Sequence, residues 1–353
     1  MTSPAPDDPP PRFVVRATAP LRICDLGGWT DTWFAGHGAV FNIGVSPPVE
    51  VHVAVHAVEA LPDRIVLHVE NYGDHYSFAP RLGPGRHPLL EAVVDAVGLP
   101  DDASVVIRVA SQVPPGCSTG TSAATAVALM GALDALLPRR STPRQIAEAA
   151  HRVEVDRLGL QSGVQDQLCA AFGGINYLEI DSYPDVARSS LPVAESTWRE
   201  LDRRLVLVYL GHAHASSEVH DKVIARLVRE GQDSPPLADL RRCAREARNA
   251  VCEGDVDRLG RLMTENTEAQ SRLHEDLVSS EARTAMAVAA AGGAAGWKVN
   301  GAGGEGGSLT ILSGRDGDLR EGLEEALLHA DSRFRLIPIG LSRHGLRVRR
   351  SPA

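Results

Sequence analysis

The stretch Pro114-Pro115-Gly116-Cys117-Ser118-Thr119-Gly120-Thr121-Ser122-Ala123-Ala124 holds the most readable chemistry in this sequence. Gly116 and Gly120 let the backbone approach a ligand without a Cβ in the way. Thr121 and Ser122 put hydroxyls and amides at the start of a helix expected from Ala123 to Leu133. Free N–H groups at a helix N-terminus attract anions, so a di- or triphosphate suits this turn. A plain strand-to-helix turn is the competing reading. The pattern GxxxxGK[ST] does not occur, so a Walker-type loop and its lysine are excluded.

Two carboxylates follow. Asp166, within SGVQDQ at the start of a small-residue helix, is a candidate to take a proton from a hydroxyl as that oxygen attacks phosphorus. Glu154, near the end of the preceding helix, could face the phosphate loop and hold Mg²⁺. Taken singly, either acid also reads as a solvated surface charge. A third segment, Asn300-Gly301-Ala302-Gly303-Gly304-Glu305-Gly306-Gly307, concentrates glycine beside a strand, which suits close approach to a backbone or ligand. A flexible surface loop is the alternative. His212 and His214 lack an evident third partner for zinc, while Ser216 and Ser217 open a helix that could line a substrate.

These groups must be positioned by a chain of 353 residues, long enough for two domains. With 43% hydrophobic and 23% charged residues the composition is that of a soluble globular protein. A formal charge of −9 provides no positive field for nucleic acid or anionic lipid. Cys24, Cys117, Cys169, Cys243 and Cys252 form no CxxC pair, which fits reduced thiols in a cytoplasm. MTSPAPDDPPPR is unlike a signal peptide, and no stretch reaches a membrane span.

Residues 1–12 read as a disordered leader. Strands are expected over Phe13 to Ile23, Ala39 to Val55, Ile65 to Glu70 and Ala103 to Ala110, with a helix over His87 to Val97. Thr142-Pro143-Arg144-Gln145 supplies a capping box and a first-turn proline for a helix through about Arg157. Another helix begins near Ser162, and a strand spans Ile175 to Ile180. An irregular polar stretch near 181–200 reads as the boundary between residues 13–195 and 196–353. Beyond it come a strand from Arg204 to Tyr209, four helices between Ser216 and Ala290, and the strand Ser308 to Leu312. A helix near Leu319 to Ala330 and a last strand near Phe334 to Ile339 complete an α+β chain.

In this order the segments resemble the GHMP kinase superfamily, and the resemblance covers most of the chain. It implies a two-domain fold, with a ribosomal protein S5 domain 2-like N-terminal domain and a ferredoxin-like C-terminal domain. It also implies ATP and Mg²⁺ as cofactors. PPGCSTGTSAA is similar to the family's phosphate loop, which places Pro115, Gly116, Ser118, Gly120, Thr121 and Ser122 against the nucleotide. By the same resemblance Ser122 and Glu154 are the Mg²⁺ ligands, Asp166 the group that accepts or orients the hydroxyl proton, and Arg22 its neighbour. The loop Ala19 to Thr32, with Gly28, Trp29 and Asp31, resembles that of sugar-1-kinases acting on fucose and on D-glycero-D-manno-heptose 7-phosphate. It implies that Asp31 accepts bonds from two sugar hydroxyls and that Trp29 offers an apolar face to the ring; packing of Trp29 under a loop is the alternative. The glycine run resembles the family's C-terminal motif, implying Gly303 and Gly304 beside the substrate. The partner implied is a small sugar or sugar phosphate, bound by a monomer or homodimer.

Overall fold

The computed structural model describes residues 10–79, 85–138, 140–212 and 217–352. In chain order the first half comprises β1 (Phe13–Leu26), β2 (Gly38–Ala57), β3 (Ile65–Val69), β4 (Asp74–Ser77), α1 (Pro88–Val97), β5 (Ala103–Ala110), α2 (Thr121–Asp134), α3 (Pro143–Arg152), α4 (Gln165–Phe172), β6 (Ile175–Ser182) and β7 (Asp185–Ser190). The second comprises α5 (Glu195–Arg204), β8 (Leu205–Tyr209), α6 (Ser217–Glu230), α7 (Pro235–Glu253), α8 (Val256–Leu273), α9 (Ser280–Ala291), β9 (Gly296–Val299), β10 (Ser308–Leu312), α10 (Gly317–Ala330), β11 (Arg335–Ile337), β12 (Gly340–Leu341) and β13 (Arg347–Pro352).

One sheet runs β13-β1-β2-β5-β3-β4, with β6, β7 and β12 joined at the far end of β2. All its pairs are antiparallel except β3 with β5. Residues of β1 alternate buried and solvated as far as Thr18 and are buried on both faces from Ala19 onward. That change has a cause: α7 and α8 pack against this end of β1, so both faces are covered there. Arg22 and Asp25 lie in the covered part. Between Ala123 and Leu133, α2 is buried on nearly every side, as its all-apolar composition requires. Its N-terminus emerges beside Arg22 of β1 and the start of α4.

The second sheet, β11-β8-β10-β9, is antiparallel and packs α9 and α10 over its own core. Trp29 and Phe34 join α6, α7 and α8 in a third cluster under the β1–β2 connection. No helix among the described residues is long and apolar enough to cross a membrane.

Three expectations need correction. The stretch near 181–200 is not irregular, because β7 forms a hairpin with β6 and α5 follows it. The leader is shorter than 1–12, since the Arg12 amide already donates to the Val55 carbonyl; residues 1–9 lie outside the described residues. After Ile339 the chain returns to the first sheet, β12 on β2 and β13 on β1, so a division at 195/196 does not hold as far as the C-terminus. The segment Arg347–Pro352 is polar and exposed, and backbone pairing rather than apolar alternation makes it a strand.

Candidate active site

Among the described residues, three that are not glycine have left-handed φ values: Cys24 at 52°, Trp29 at 77° and Ser118 at 59°. Such conformations persist only where the surroundings impose them. All three lie in the two loops that resemble functional segments, and an ion pair sits between those loops. The Arg22 guanidinium donates from Nε to Asp166 Oδ1 at 2.7 Å and from Nη2 to Asp166 Oδ2 at 3.2 Å. Its Nη1 donates to the Ser118 carbonyl, and its backbone amide to that of Thr119. Burial opposes the Arg22 charge, but Asp166 and then Asp25 outweigh it, so the guanidinium holds its proton more tightly than usual. A planar, two-point contact of this kind fixes direction as well as distance.

A cavity opens in front of this pair, lined by Arg22, Gly28, Trp29, Asp31, Gln161, Gly163, Asp166 and Gly301, among others. Asp31 is 2% exposed and accepts the Gln165 amide at 3.0 Å. Burial pushes its carboxyl up to about 6, the Gln165 amide opposes that, and the charge of Asp166 adds to it. Gly163 is required at this point, because a Cβ there would come within 2.2 Å of Asp31 Oδ2. Trp29 satisfies both readings: its ring packs edge-on to His220 at 5.0 Å and its Nε1 donates to the Ala302 carbonyl, while it also lines the cavity.

A second cavity lies across the phosphate loop, bounded by Asn71, Tyr72, His87, Leu90, Pro115, Gly116, Thr121, Ser122 and Thr125, among others. Gly120 separates the two, and a Cβ on it would come 3.2 Å from the Asp166 carboxylate. It stands at the N-cap of α2 with φ 70° and supplies no capping side chain. The first turn of α2 therefore presents its amides uncapped, beside the exposed Ser122. Ser118 supports the loop from below, since Cβ atoms on Gly301 and Gly307 would meet it at 3.2 and 2.8 Å. The glycine run thus permits close packing on the phosphate loop. Gly303 and Gly304 are turned away from the cavity lining: the Gly304 amide donates to Leu277, and a Cβ on Gly303 would strike the same carbonyl. Gly301 and Ala302 line the cavity in their place. Of the 211–218 segment, residues 213–216 and the Ser217 and Glu218 side chains lie outside the described residues; His212 is hydrogen-bonded to Arg333.

Glu154 occupies a π-helical turn, Val153–Arg157, that continues α3. Such turns are uncommon and concentrate at functional sites. It is 6% exposed, so it is no solvated surface acid. Its Oε2 accepts Ser162 Oγ at 2.6 Å and Gln167 Nε2 at 3.0 Å, while the buried Oε1 has no hydrogen-bond partner. Burial raises its pKa, the Ser162 hydroxyl offsets part of that, and the charge of Asp166 raises it again. An oriented carboxylate with one open buried oxygen and no cation beside it is the donor that a hard metal ion such as Mg²⁺ requires. The described residues contain no group of three or more His, Cys, Asp or Glu side chains able to hold a metal.

Comparison with known proteins gives the family and the fold. The sequence pattern of the GHMP kinases N terminal domain matches residues 88–174, which contain the phosphate loop, Glu154 and Asp166. A mevalonate kinase from Methanothermobacter thermautotrophicus is 31% identical over 260 residues, covering 71% of this chain and 80% of that protein. The chain belongs to the GHMP kinases. Another mevalonate kinase, from Thermococcus sibiricus, is 31% identical over 213 residues, or 57% of this chain and 58% of that relative's length. The solved structure of a D-glycero-D-manno-heptose 1-phosphate kinase from Bacteroides thetaiotaomicron superposes with a TM-score of 0.74 at 21% identity, covering 95% of this chain and 98% of that one. The fold is the two-domain GHMP kinase fold.

In this GHMP kinase, sequence reasoning ranked Asp25 as structural and missed other residues that touch the candidate groups. Asp25 and Lys298 are fully buried behind Arg22, Ser162 and Gln167 hold Glu154, and Asn71 ties its loop to Ser111 through two hydrogen bonds of 2.7 Å. Lys298 had one available signal, being one of only two lysines among 36 basic residues.

Proposed function

We propose that this protein transfers the γ-phosphoryl group of ATP to a sugar hydroxyl, the C1 hydroxyl of D-glycero-D-manno-heptose 7-phosphate being the first candidate. The observation that carries this is the Arg22–Asp166 pair at Gly120, between a cavity bearing Asp31 and a cavity bearing the first turn of α2. Phosphoryl transfer needs an anion site, a cation, a group to orient the nucleophile and little else, so positioning supplies most of the catalysis. In this reading the uncapped amides of α2 and the loop Pro115–Ser122 receive the phosphates. Ser122 and Glu154 Oε1 hold Mg²⁺, which would neutralise charge on the transferring group. Asp166 accepts or orients the hydroxyl proton, and Arg22 fixes the Asp166 carboxylate through two hydrogen bonds while facing the developing charge. Asp31, buried and short of donors, takes bonds from two sugar hydroxyls. Residues 13–195, joined by the returning strands β12 and β13, then serve as the ATP-binding domain, and residues 196–339 as the domain that closes on it.

The similarity to the Bacteroides heptose kinase structure supports a sugar, while 31% identity to two mevalonate kinases favours a second reading, a hydroxy acid. The lining itself argues for the sugar. Asp31 and Asp166 are both acidic, and Arg22, the one arginine or lysine lining the cavity among the described residues, is already paired. A substrate carboxylate placed beside these acids would face like charge, whereas the 7-phosphate of the heptose lies far from C1 and needs an anion site of its own away from them.

The test is ADP release from Mg-ATP with D-glycero-D-manno-heptose 7-phosphate, L-fucose, galactose, mevalonate and homoserine, run beside Asp166→Asn. Turnover on the heptose phosphate, lost in the variant, is expected. Turnover on a free sugar or on mevalonate replaces the substrate and keeps the chemistry. Retained ATP binding with no turnover on any of them points to a substrate outside this panel or to a silent sugar- or nucleotide-binding protein.

A further inference from the structure

Behind the Arg22–Asp166 pair lie two more charges that the reaction as described does not use. Asp25 ends β1 with no solvent exposure, and Lys298 on β9 is 1% exposed. Asp25 Oδ2 accepts the Gly301 amide at 2.9 Å. Its Oδ1 accepts no hydrogen bond and stands between two cations, 3.5 Å from Lys298 Nζ and 3.9 Å from Arg22 Nη1. The Lys298 ammonium donates to Gln270 Oε1 of α8 at 2.9 Å and to the Val299 carbonyl. The charges therefore alternate in space, Lys298, Asp25, Arg22, Asp166, from the second sheet through β1 to the first turn of α4.

We propose that Lys298 is a positioning residue, which neutralises Asp25 so that Arg22 stays committed to Asp166. Coulomb attraction is far stronger in a buried site than in water, and a carboxylate there seeks its nearest cation. With Lys298 present, Asp25 has one. Without it, Arg22 is the only remaining positive neighbour among the described residues, and closing a 3.9 Å separation needs a shift well under the length of a bond. That shift would draw the guanidinium off the carboxylate that faces the substrate cavity. Arginine cannot replace the lysine easily, because the compact ammonium fits among Gln270, Val299 and Asp25, where a planar guanidinium is wider and differently directed. The sequence points the same way: a chain that uses arginine for nearly all its positive charge keeps lysine here.

This rests on the reading of Arg22 and Asp166 as the transfer pair, and the experiment separates the two ideas. Lys298→Met, Asp25→Asn, their combination and Asp166→Asn are compared by thermal melting, ATP affinity, KM and kcat on the substrate found above. A displaced catalytic group commonly costs on the order of 10²-fold, so Lys298→Met should lower kcat by about ten- to a hundredfold with ATP affinity changed less than about threefold. Adding Asp25→Asn removes the charge that draws Arg22 away and should restore most of that kcat. A merely structural role changes melting temperature and leaves kcat of the folded fraction alone, with no rescue. Undiminished kcat in Lys298→Met, or a folded double variant as slow as the single, overturns the proposal. If Lys298→Met does not fold, the double variant decides: kcat within about threefold of wild type supports the proposal, and a tenfold deficit overturns it. Turnover surviving in Asp166→Asn removes the underlying functional reading, whereas a dead Asp166→Asn beside an unimpaired Lys298→Met removes only this one.

Discussion

The surroundings of Asp166 and of Glu154 differ in one respect that organises the site. Asp166 is bonded to an opposite charge, at the end of an alternating run from Lys298 through Asp25 and Arg22. Around Glu154 the partners are neutral: the Ser162 hydroxyl, the Gln167 amide and, behind Ser162, Tyr183 and His151. A carboxylate with a bidentate arginine has its counter-charge within the protein, while a buried carboxylate with neutral donors has a raised pKa and gains from a cation. Asp31 sides with Glu154, because it too is buried without a bonded cation. The protein thus completes one charge pair internally and leaves the other carboxylates to be completed by ligands.

The largest expected effect breaks the compensated side. Asp166→Asn should lower kcat by at least about 10³-fold, the upper part of the range for losing a positioned proton acceptor. It should also lower the melting temperature, because Arg22 loses its counter-charge while 5% exposed. Glu154→Gln, of nearly the same shape, should lower kcat by about 10²-fold and raise the Mg²⁺ concentration needed for turnover. Its effect on stability has the opposite sign, since a charge that burial disfavours is removed, and the melting temperature should hold or rise. Calorimetry of both variants without nucleotide checks the pair of signs; a loss of equal size in each would erase the distinction.

Much of this was legible in the residues. Val, Ile and Ala alternation gives β1 and β5, and Thr142-Pro143-Arg144-Gln145 gives the capped start of α3 with its box intact. The ordered glycine-rich segments, Arg22, Asp31 and Asp166 identify one neighbourhood, and the structure brings them together. What was not legible depends on contacts far apart in the chain. Asp25 and Lys298 are 273 positions apart, and neither is marked by local pattern; the 3.5 Å between them exists only once β9 docks behind β1. The π-helical turn at Glu154 leaves no pattern in VEVDR. Gly303 looked as exposed to ligand as Gly301, and only the position of Leu277 separates them. Strand β13 is held by backbone hydrogen bonds to β1, so its arginine-rich sequence reads as a tail.

Asp31 sharpens the comparison through pH. Its carboxyl is pushed up to about 6 from an ordinary 3.8, so the folded chain binds this proton more tightly than the unfolded chain. The sign follows: its contribution to stability falls as pH rises between about 4 and about 6, then stays level, and Asp31→Asn should flatten that slope. Sugar hydroxyls donate to the ionised form, so KM for the sugar should be about tenfold higher at about pH 5 than at about pH 7, a change absent from KM for ATP. Stability and KM profiles over this range check both. A sugar KM independent of pH would mean that a cation already compensates Asp31.

The smallest effect comes from the neutral donors themselves. Ser162 Oγ and Gln167 Nε2 both donate to Glu154 Oε2, and they also contact each other at 3.2 Å, so this oxygen is saturated and the other left open. The Ser162 backbone is held separately, its carbonyl accepting from Tyr183 at 3.2 Å. Removing the hydroxyl should therefore loosen the carboxylate without freeing the loop. Ser162→Ala should raise the Mg²⁺ concentration for half-maximal turnover by about tenfold, the lower end for losing a hydrogen bond to a metal ligand, with kcat at saturating Mg²⁺ within about threefold. Ser162→Thr, which keeps the hydroxyl, should stay near wild type. Mn²⁺ binding followed by electron paramagnetic resonance with ADP present gives the same comparison without turnover. If the alanine variant binds metal as wild type does, Oε1 is not aimed by its neighbours, and charge alone separates Glu154 from Asp166.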